Sequence, residues 1–158
     1  MIFSRDLNES EQFIEQLHQL TYERIRSRTR QYFSDLVPGK EVDLVLVDEV
    51  LQFGLKFVLI ATNGAKRGIE ELSGGQKSLL SLSYVFACAL HRQYPLYLMD
   101  EIDAALDEKN QRIVASIISK LFDKKIIFCV SHHPDFQVHA ADVLTARMVE
   151  GKTVIRGP

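Results

Sequence analysis

The residues best suited to chemistry sit in LYLMDEID, residues 96–103, where a short apolar run ends abruptly in Asp100 and Glu101. Two adjacent carboxylates can divide their work: one holds Mg2+ or its water shell while the next polarises an attacking water. Their mutual repulsion makes either costly to leave unpaired, so a cation is the natural partner. The same residues suit a plainer role in which Asp100 only opens the next loop. His132 follows a second apolar run, IIFCV, residues 126–130. If the two runs are neighbouring parallel strands, their carboxyl ends share one crevice, and His132 approaches the carboxylates there, placed to hydrogen-bond a phosphate. A histidine after a strand is equally an ordinary loop residue. His133 and His139 have no comparable support and are read as structural or exposed. Asp103 and Asp107 add two carboxylates; Asp107 suits a helix N-cap and also the edge of an interface.

A second kind of chemistry is written in ELSGGQKSLLSL, residues 71–82. Gly74 and Gly75 remove side chains that would keep a ligand from backbone N–H groups, the helix start that follows favours an anion, and Ser73 adds a hydroxyl donor. Read alone, the stretch is also a flexible helix cap. Residues 146–153, ARMVEGKT, come close to G-x-x-x-x-G-K-[ST], but Ala146 stands where that pattern needs glycine and no helix follows to point at phosphates. The chain therefore offers a carboxylate pair and an anion-seeking helix start without the lysine loop that cradles β- and γ-phosphates.

These groups need a scaffold, and 158 residues suffice for about one domain with a sizeable core. Residues 8–36 lack Gly and Pro, and Phe13, Leu17 and Leu20 recur at helical steps, so a helix is expected there, acidic first and arginine-rich later. Arg24, Arg26, Arg28 and Arg30 suit a solvated face or a DNA contact. Pro38 and Gly39 end the helix. EVDLVLVD and GLKFVLIA read as two strands joined by a polar link around Glu49 to Phe53, and TNGAKRGIEE as a loop. Leu72 to Leu90 is apolar on several faces, as a helix buried against a sheet would be. YLMD, a helix over Glu108–Leu121 with Ile113, Ile117, Ile118 and Leu121 on its core side, and KIIFCVSHH then make a βαβ unit with parallel, buried strands. The end of the chain reads as a hairpin turning at Glu150–Gly151.

Nineteen Lys and Arg against 21 Asp and Glu leave a formal net charge of -2, so no global positive field recruits nucleic acid. Cys88 and Cys129 lie in apolar runs and are expected as reduced core residues in an intracellular chain without a structural metal. No apolar stretch approaches the roughly 20 residues of a membrane span, and the acidic, polar start is unlike a signal peptide.

Taken together, LSGGQ at 72–76, the strand ending in Asp100–Glu101, DEIDAALD at 100–107 and SH at 131–132 resemble, in that order, the ABC-type ATPase head. Ile102, where transporters and double-strand-break repair ATPases typically carry proline, narrows the resemblance to the SMC (structural maintenance of chromosomes) family, over most of the chain. The resemblance implies an α/β, P-loop NTPase-like head, its C-terminal lobe only, with a mainly parallel buried sheet, flanking helices, and residues 1–36 as a helix leaving a coiled coil. It implies Asp100 as Mg2+ ligand, Glu101 as general base, His132 as switch, Ser73, Gly74, Gly75 and Gln76 as the signature reaching the γ-phosphate of ATP on another head, and Asp107 at the dimer interface. Implied partners are the N-terminal half of the same head, a second and different SMC head of condensin type, kleisin and accessory subunits, and DNA through the assembly. The implied activity is ATP hydrolysis in the complete head, the isolated chain being inactive. The implied place is the chromosome, in nucleus and cytoplasm or in a nucleoid. A repair or transport ATPase and a non-catalytic module binding an accessory subunit are the competing readings.

Overall fold

The computed structural model describes residues 2–49 and 52–157, and the chain divides into two compact units at Tyr94–Pro95. The first unit opens with α1, Ile2–Leu36, in agreement with the Gly- and Pro-free stretch. Its C-terminal half buries Thr29, Tyr32, Phe33 and Leu36 at helical steps, whereas Phe13, Ile14, Leu17 and Leu20 of its N-terminal half stay exposed. The helix stops where Pro38 cannot continue it and Gly39 turns the chain at φ 83°.

β1, Glu41–Glu49, and β2, Gln52–Ile60, pair antiparallel from Glu41↔Ile60 to Glu49↔Gln52. The connection at residues 50–51, within the polar link expected from sequence, lies outside the described residues. Val42 and Leu44 are buried where α1 packs on β1. Between them Asp43 is also buried, which is affordable because Arg26 of α1 grips it with Nε on Oδ1 at 2.7 Å and Nη2 on Oδ2 at 2.8 Å. Arg26 is thus committed to a structural pair and is not a free DNA contact; Arg24 and Arg30 remain exposed. The stretch TNGAKRGIEE is more ordered than the loop expected of it. Gly64, at φ 79°, lets β3, Lys66–Arg67, fold back on β2, and a 3-10 turn follows over Ile69–Glu71. A two-residue strand carries no alternation that a sequence could display.

α2, Gly74–His91, packs on α1 through Leu79, Leu80, Phe86 and Ala87, and its Tyr84 meets Phe57 of β2 edge-on at 5.5 Å. Val85, within the apolar run from Leu72 to Leu90, is exposed.

In the second unit β4, Leu96–Asp100, pairs in parallel with β5, Ile126–Val130, and α3, Glu108–Leu121, connects them. α3 buries Val114, Ala115 and Ile118 over Tyr97 and Met99, and Tyr97 stacks edge-on against Phe122 at 4.8 Å. The expectation of buried strands is corrected here. α3 covers one face only, so Leu98 on β4 is 77% exposed and Phe128 on β5 57%. Cys129 is exposed and Cys88 half-buried, where core positions were expected. The expectation of a mainly parallel sheet is corrected too: among the described residues parallel pairing is confined to β4–β5, and the other two sheets are antiparallel. A short α4, Pro134–Val138, follows β5.

The chain closes with β6, Thr145–Val149, and β7, Lys152–Arg156. Glu150 and Gly151 both have positive φ, 49° and 75°, the backbone a tight two-residue hairpin demands. The phosphate-loop look-alike at 146–153 is this hairpin. Among the described residues no helix is long and apolar enough to cross a membrane.

Candidate functional site

Parallel pairing places the carboxyl ends of β4 and β5 side by side, with Asp100 opposite Val130. One further ladder bond, from the Glu101 N–H to the Val130 carbonyl at 3.0 Å, carries the pairing past the end of β4. Glu101 then leaves the strand in the left-handed region at φ 46°, a conformation a non-glycine residue rarely adopts and one that concentrates at working sites. The Glu101 Oε1 meets His132 Nε2 at 3.2 Å. A carboxylate oxygen only accepts, so Nε2 carries the proton in this contact. Glu101 and His132 both remain accessible, at 53% and 83% of their side-chain surface. The parallel strand ends bring together Glu101 and His132, as expected of neighbouring carboxyl ends.

Asp107 acts as the N-cap of α3, accepting from the Asn110 N–H at 2.8 Å. Asp103, mentioned in sequence only as one more carboxylate, is 1% exposed and accepts from the Ser131 hydroxyl at 2.6 Å. The Ser131 Oγ in turn accepts from the His133 N–H at 2.9 Å, a local turn that spans His132. Gln111 of α3, also buried, donates from Nε2 to the Leu106 carbonyl at 2.9 Å and lies 2.9 Å from His133 Nε2. His133 is half-buried and engaged, in keeping with the structural side of the reading given to it, although nothing in sequence named its partners. The available signal was Gln111, a polar residue in helical step with Val114, Ala115 and Ile118. Cys129 is exposed as a residue, yet surrounding protein desolvates its thiol, and this, with the charges of Asp103 and then Asp100, pushes the thiol up and leaves it a poor nucleophile. Among the described residues no three His, Cys, Asp or Glu side chains converge as a metal cage.

In the first unit Ser73 caps α2. Its Oγ accepts from the Gln76 N–H at 3.3 Å, while the Gln76 Oε1 accepts from the Ser73 N–H at 3.1 Å, a complete capping box. Gly74 and Gly75 are the first helical residues, whose N–H groups have no intrahelical acceptor. A Cβ at Gly74 would meet nothing within 4 Å, so packing inside the chain does not demand glycine there.

The fold that carries these residues is similar to that of known proteins. A chain of the structure described as “Structural biochemistry of ATP-driven dimerization and DNA stimulated activation of SMC ATPases” matches with a TM-score of 0.79 at 26% identity, covering 90% of this chain and 88% of that one. The Smc head domain with an extended coiled coil bound to the C-terminal domain of ScpA, from Pyrococcus furiosus, matches with a TM-score of 0.83 at 27% identity, covering 98% of this chain and 39% of that one. The fold is that of an SMC head domain, mixed α and β. Residues 6–155 match the family model described as RecF/RecN/SMC N terminal domain, and the chain belongs to that family. Structural maintenance of chromosomes protein 2 of Plasmodium falciparum is 32% identical over 134 residues, 85% of this chain and 11% of the relative. Structural maintenance of chromosomes protein 4 of Schizosaccharomyces pombe is 40% identical over 98 residues, 61% of this chain and 7% of the relative. The chain thus spans about a tenth of the length of these relatives.

Proposed function

We propose that the chain is the C-terminal half of the ATPase head of a chromosome-organising SMC protein, contributing to ATP hydrolysis when two heads engage. The observation that carries this reading is the parallel β4–β5 pair, whose ends bring Glu101 and His132 to 3.2 Å. Glu101 is the general base that takes a proton from water, and His132 orients it through Nε2–H while keeping its other ring nitrogen free. Asp100 would hold the metal. A carboxylate at the end of β4, beside the carboxylate of Glu101, has the hard oxygen donors that Mg2+ takes. Mg2+ bound there supplies neutralisation of phosphate charge on ATP. Ser73, Gly74, Gly75 and Gln76 take the γ-phosphate of ATP on the opposite head with the donors that the capping box does not use. Asp107 serves the dimer interface as well as its cap.

The uncovered apolar face of β4–β5 and the missing lysine loop support the N-terminal half of the same head as the first partner. The likeness to a solved chain of nearly the same extent supports a half-head, although the matched family model is described by its N-terminal domain. Similarity to proteins 2 and 4 supports a condensin-type subunit facing a different SMC head, and the ScpA-bound structure supports a kleisin partner. On this reading α1 continues a coiled coil, DNA is engaged through the assembly, and the protein works on chromosomes, in the nucleus of a eukaryote or the nucleoid of a prokaryote. In a head completed with the N-terminal half, Glu101→Gln preserves ATP-dependent association of heads and lowers turnover by about 100-fold or more. Hydrolysis at the unaltered rate would remove Glu101 from the base role.

A further inference from the structure

His132 is the most exposed member of the site, and a solvent-exposed imidazole at a loop tip has no packing to fix its direction. What fixes it lies underneath. Asp103 is fully buried, and its 2.6 Å bond from Ser131 is short, as expected where a hydroxyl donates to a carboxylate. The same Ser131 oxygen receives the His133 N–H, so one hydroxyl closes the turn around His132 and ties it to the loop after β4. The second anchor is Gln111. Its Nε2 faces the carbonyls of Leu106 at 2.9 Å and Asp103 at 3.4 Å, which require an N–H2 there and not an oxygen. An amide nitrogen cannot accept, and of its two hydrogens one goes to the Leu106 carbonyl and the other to His133 Nε2, both at 2.9 Å, with the longer Asp103 contact left to a shared hydrogen; His133 therefore accepts with Nε2 and carries its proton on Nδ1. Both residues flanking His132 are thus pinned to buried groups of the β4–α3 segment, the segment that also bears Glu101.

The geometry points to Asp103 and Gln111 as positioning residues: Asp103 through Ser131, and Gln111 through His133, hold His132 against Glu101. This rests on the reading of Glu101 and His132 as the hydrolytic pair, and it adds the buried frame that sets their distance. The arrangement also makes the Asp103–Asp107 loop and the His132 turn move as one piece, because each is bonded to Gln111 or Ser131. Placing reacting groups by a second layer of hydrogen bonds is what keeps such sites within catalytic tolerance.

The test has two arms. Imidazole 15N spectra of the 158-residue chain should show His133 as a single tautomer protonated on Nδ1, and Gln111→Met should return it to a mixture. A wild-type His133 protonated on Nε2 overturns the proposal whatever the activity. In the completed head, Ser131→Ala should lower kcat by about 10- to 100-fold with KM for ATP changed by less than about 3-fold, as loss of an outer hydrogen-bond layer does. Ser131→Thr, which keeps the hydroxyl, should restore most of the rate. Near-wild-type turnover by Ser131→Ala beside an inactive Glu101→Gln overturns the positioning role. Near-wild-type turnover by Glu101→Gln itself instead overturns the underlying assignment of the base.

Discussion

Removing the Arg26 guanidinium should expose how α1 is fastened to the β1–β2 hairpin. Arg26→Met keeps most of the aliphatic stem but leaves Asp43, 4% exposed, as an unpaired buried charge. Breaking a buried ion pair on one side costs about 3–5 kcal/mol. Two features reduce that figure: the Arg26 side chain is 29% exposed, and Asp43 keeps the Leu44 N–H at 3.0 Å. The expected loss is therefore about 2–4 kcal/mol at pH 7. With a urea dependence of about 2 kcal/mol/M, the midpoint should fall by about 1–2 M. Urea titration followed by far-UV circular dichroism measures it, with hydrogen exchange of the β1 amides as the local readout. The sign with pH follows from Asp43, whose carboxyl the Arg26 hydrogen bonds hold below the ordinary range against the opposing effect of burial. In the wild type its contribution is complete above the unfolded value near about 3.9 and disappears as pH falls through the lower folded value. In the variant burial is largely unopposed, so protonation relieves the penalty and the gap between the two proteins narrows on acidification. Arg26→Met combined with Asp43→Asn should recover to within about 1 kcal/mol of the wild type, since no charge is then stranded. A loss below about 0.5 kcal/mol at pH 7, or one equal at pH 4 and pH 7, would refute the reasoning.

Two further substitutions separate folding from assembly. Ser73→Asp keeps an N-cap acceptor for the Gln76 N–H and should leave stability within about 0.5 kcal/mol, whereas Ser73→Ala should lose about 1 kcal/mol in the same urea titration. Both should abolish ATP-dependent association of heads, measured by sedimentation velocity; an aspartate variant that still associates would separate the helix start from the phosphate. Leu98→Lys, at a position already 77% exposed, should leave the stability of the chain within about 0.5 kcal/mol. Calorimetry should nonetheless show its affinity for the N-terminal half of the head lowered at least about tenfold, and unchanged affinity would place that partner elsewhere.

The sequence announces local features whose signal is carried by consecutive residues. α3 runs over Glu108–Leu121 as its pattern indicates, and the last hairpin turns at Glu150–Gly151 because those two residues must accept positive φ. The meeting of Glu101 and His132 was legible for a similar reason, since two apolar runs separated by one helix already specify parallel strands with a common carboxyl edge. Burial was read less well. The apolarity of Phe128 and Leu98 records that these side chains are fit to be covered, while only the packing reveals that α3 covers the opposite face. Ile113 and Ile117 tell the same story from the helix, half-buried where Val114 and Ala115 are fully enclosed. The frame of Asp103, Gln111, Ser131 and His133 was beyond reach because the contacts that join its two halves, Gln111 to His133 and Asp103 to Ser131, span 22 and 28 positions, and no periodicity links residues that meet only through tertiary contact.

The capping box at the start of α2 has a consequence for selectivity. Ser73 and Gln76 each use one oxygen lone pair on the other's backbone N–H, which leaves the hydroxyl hydrogen, the side-chain amide hydrogens and the glycine N–H groups without a use in the cap. Such a helix start behaves as a one-way valve for polarity. It favours oxygens bearing lone pairs over an ammonium, and the reciprocal cap holds it in that state within the chain itself.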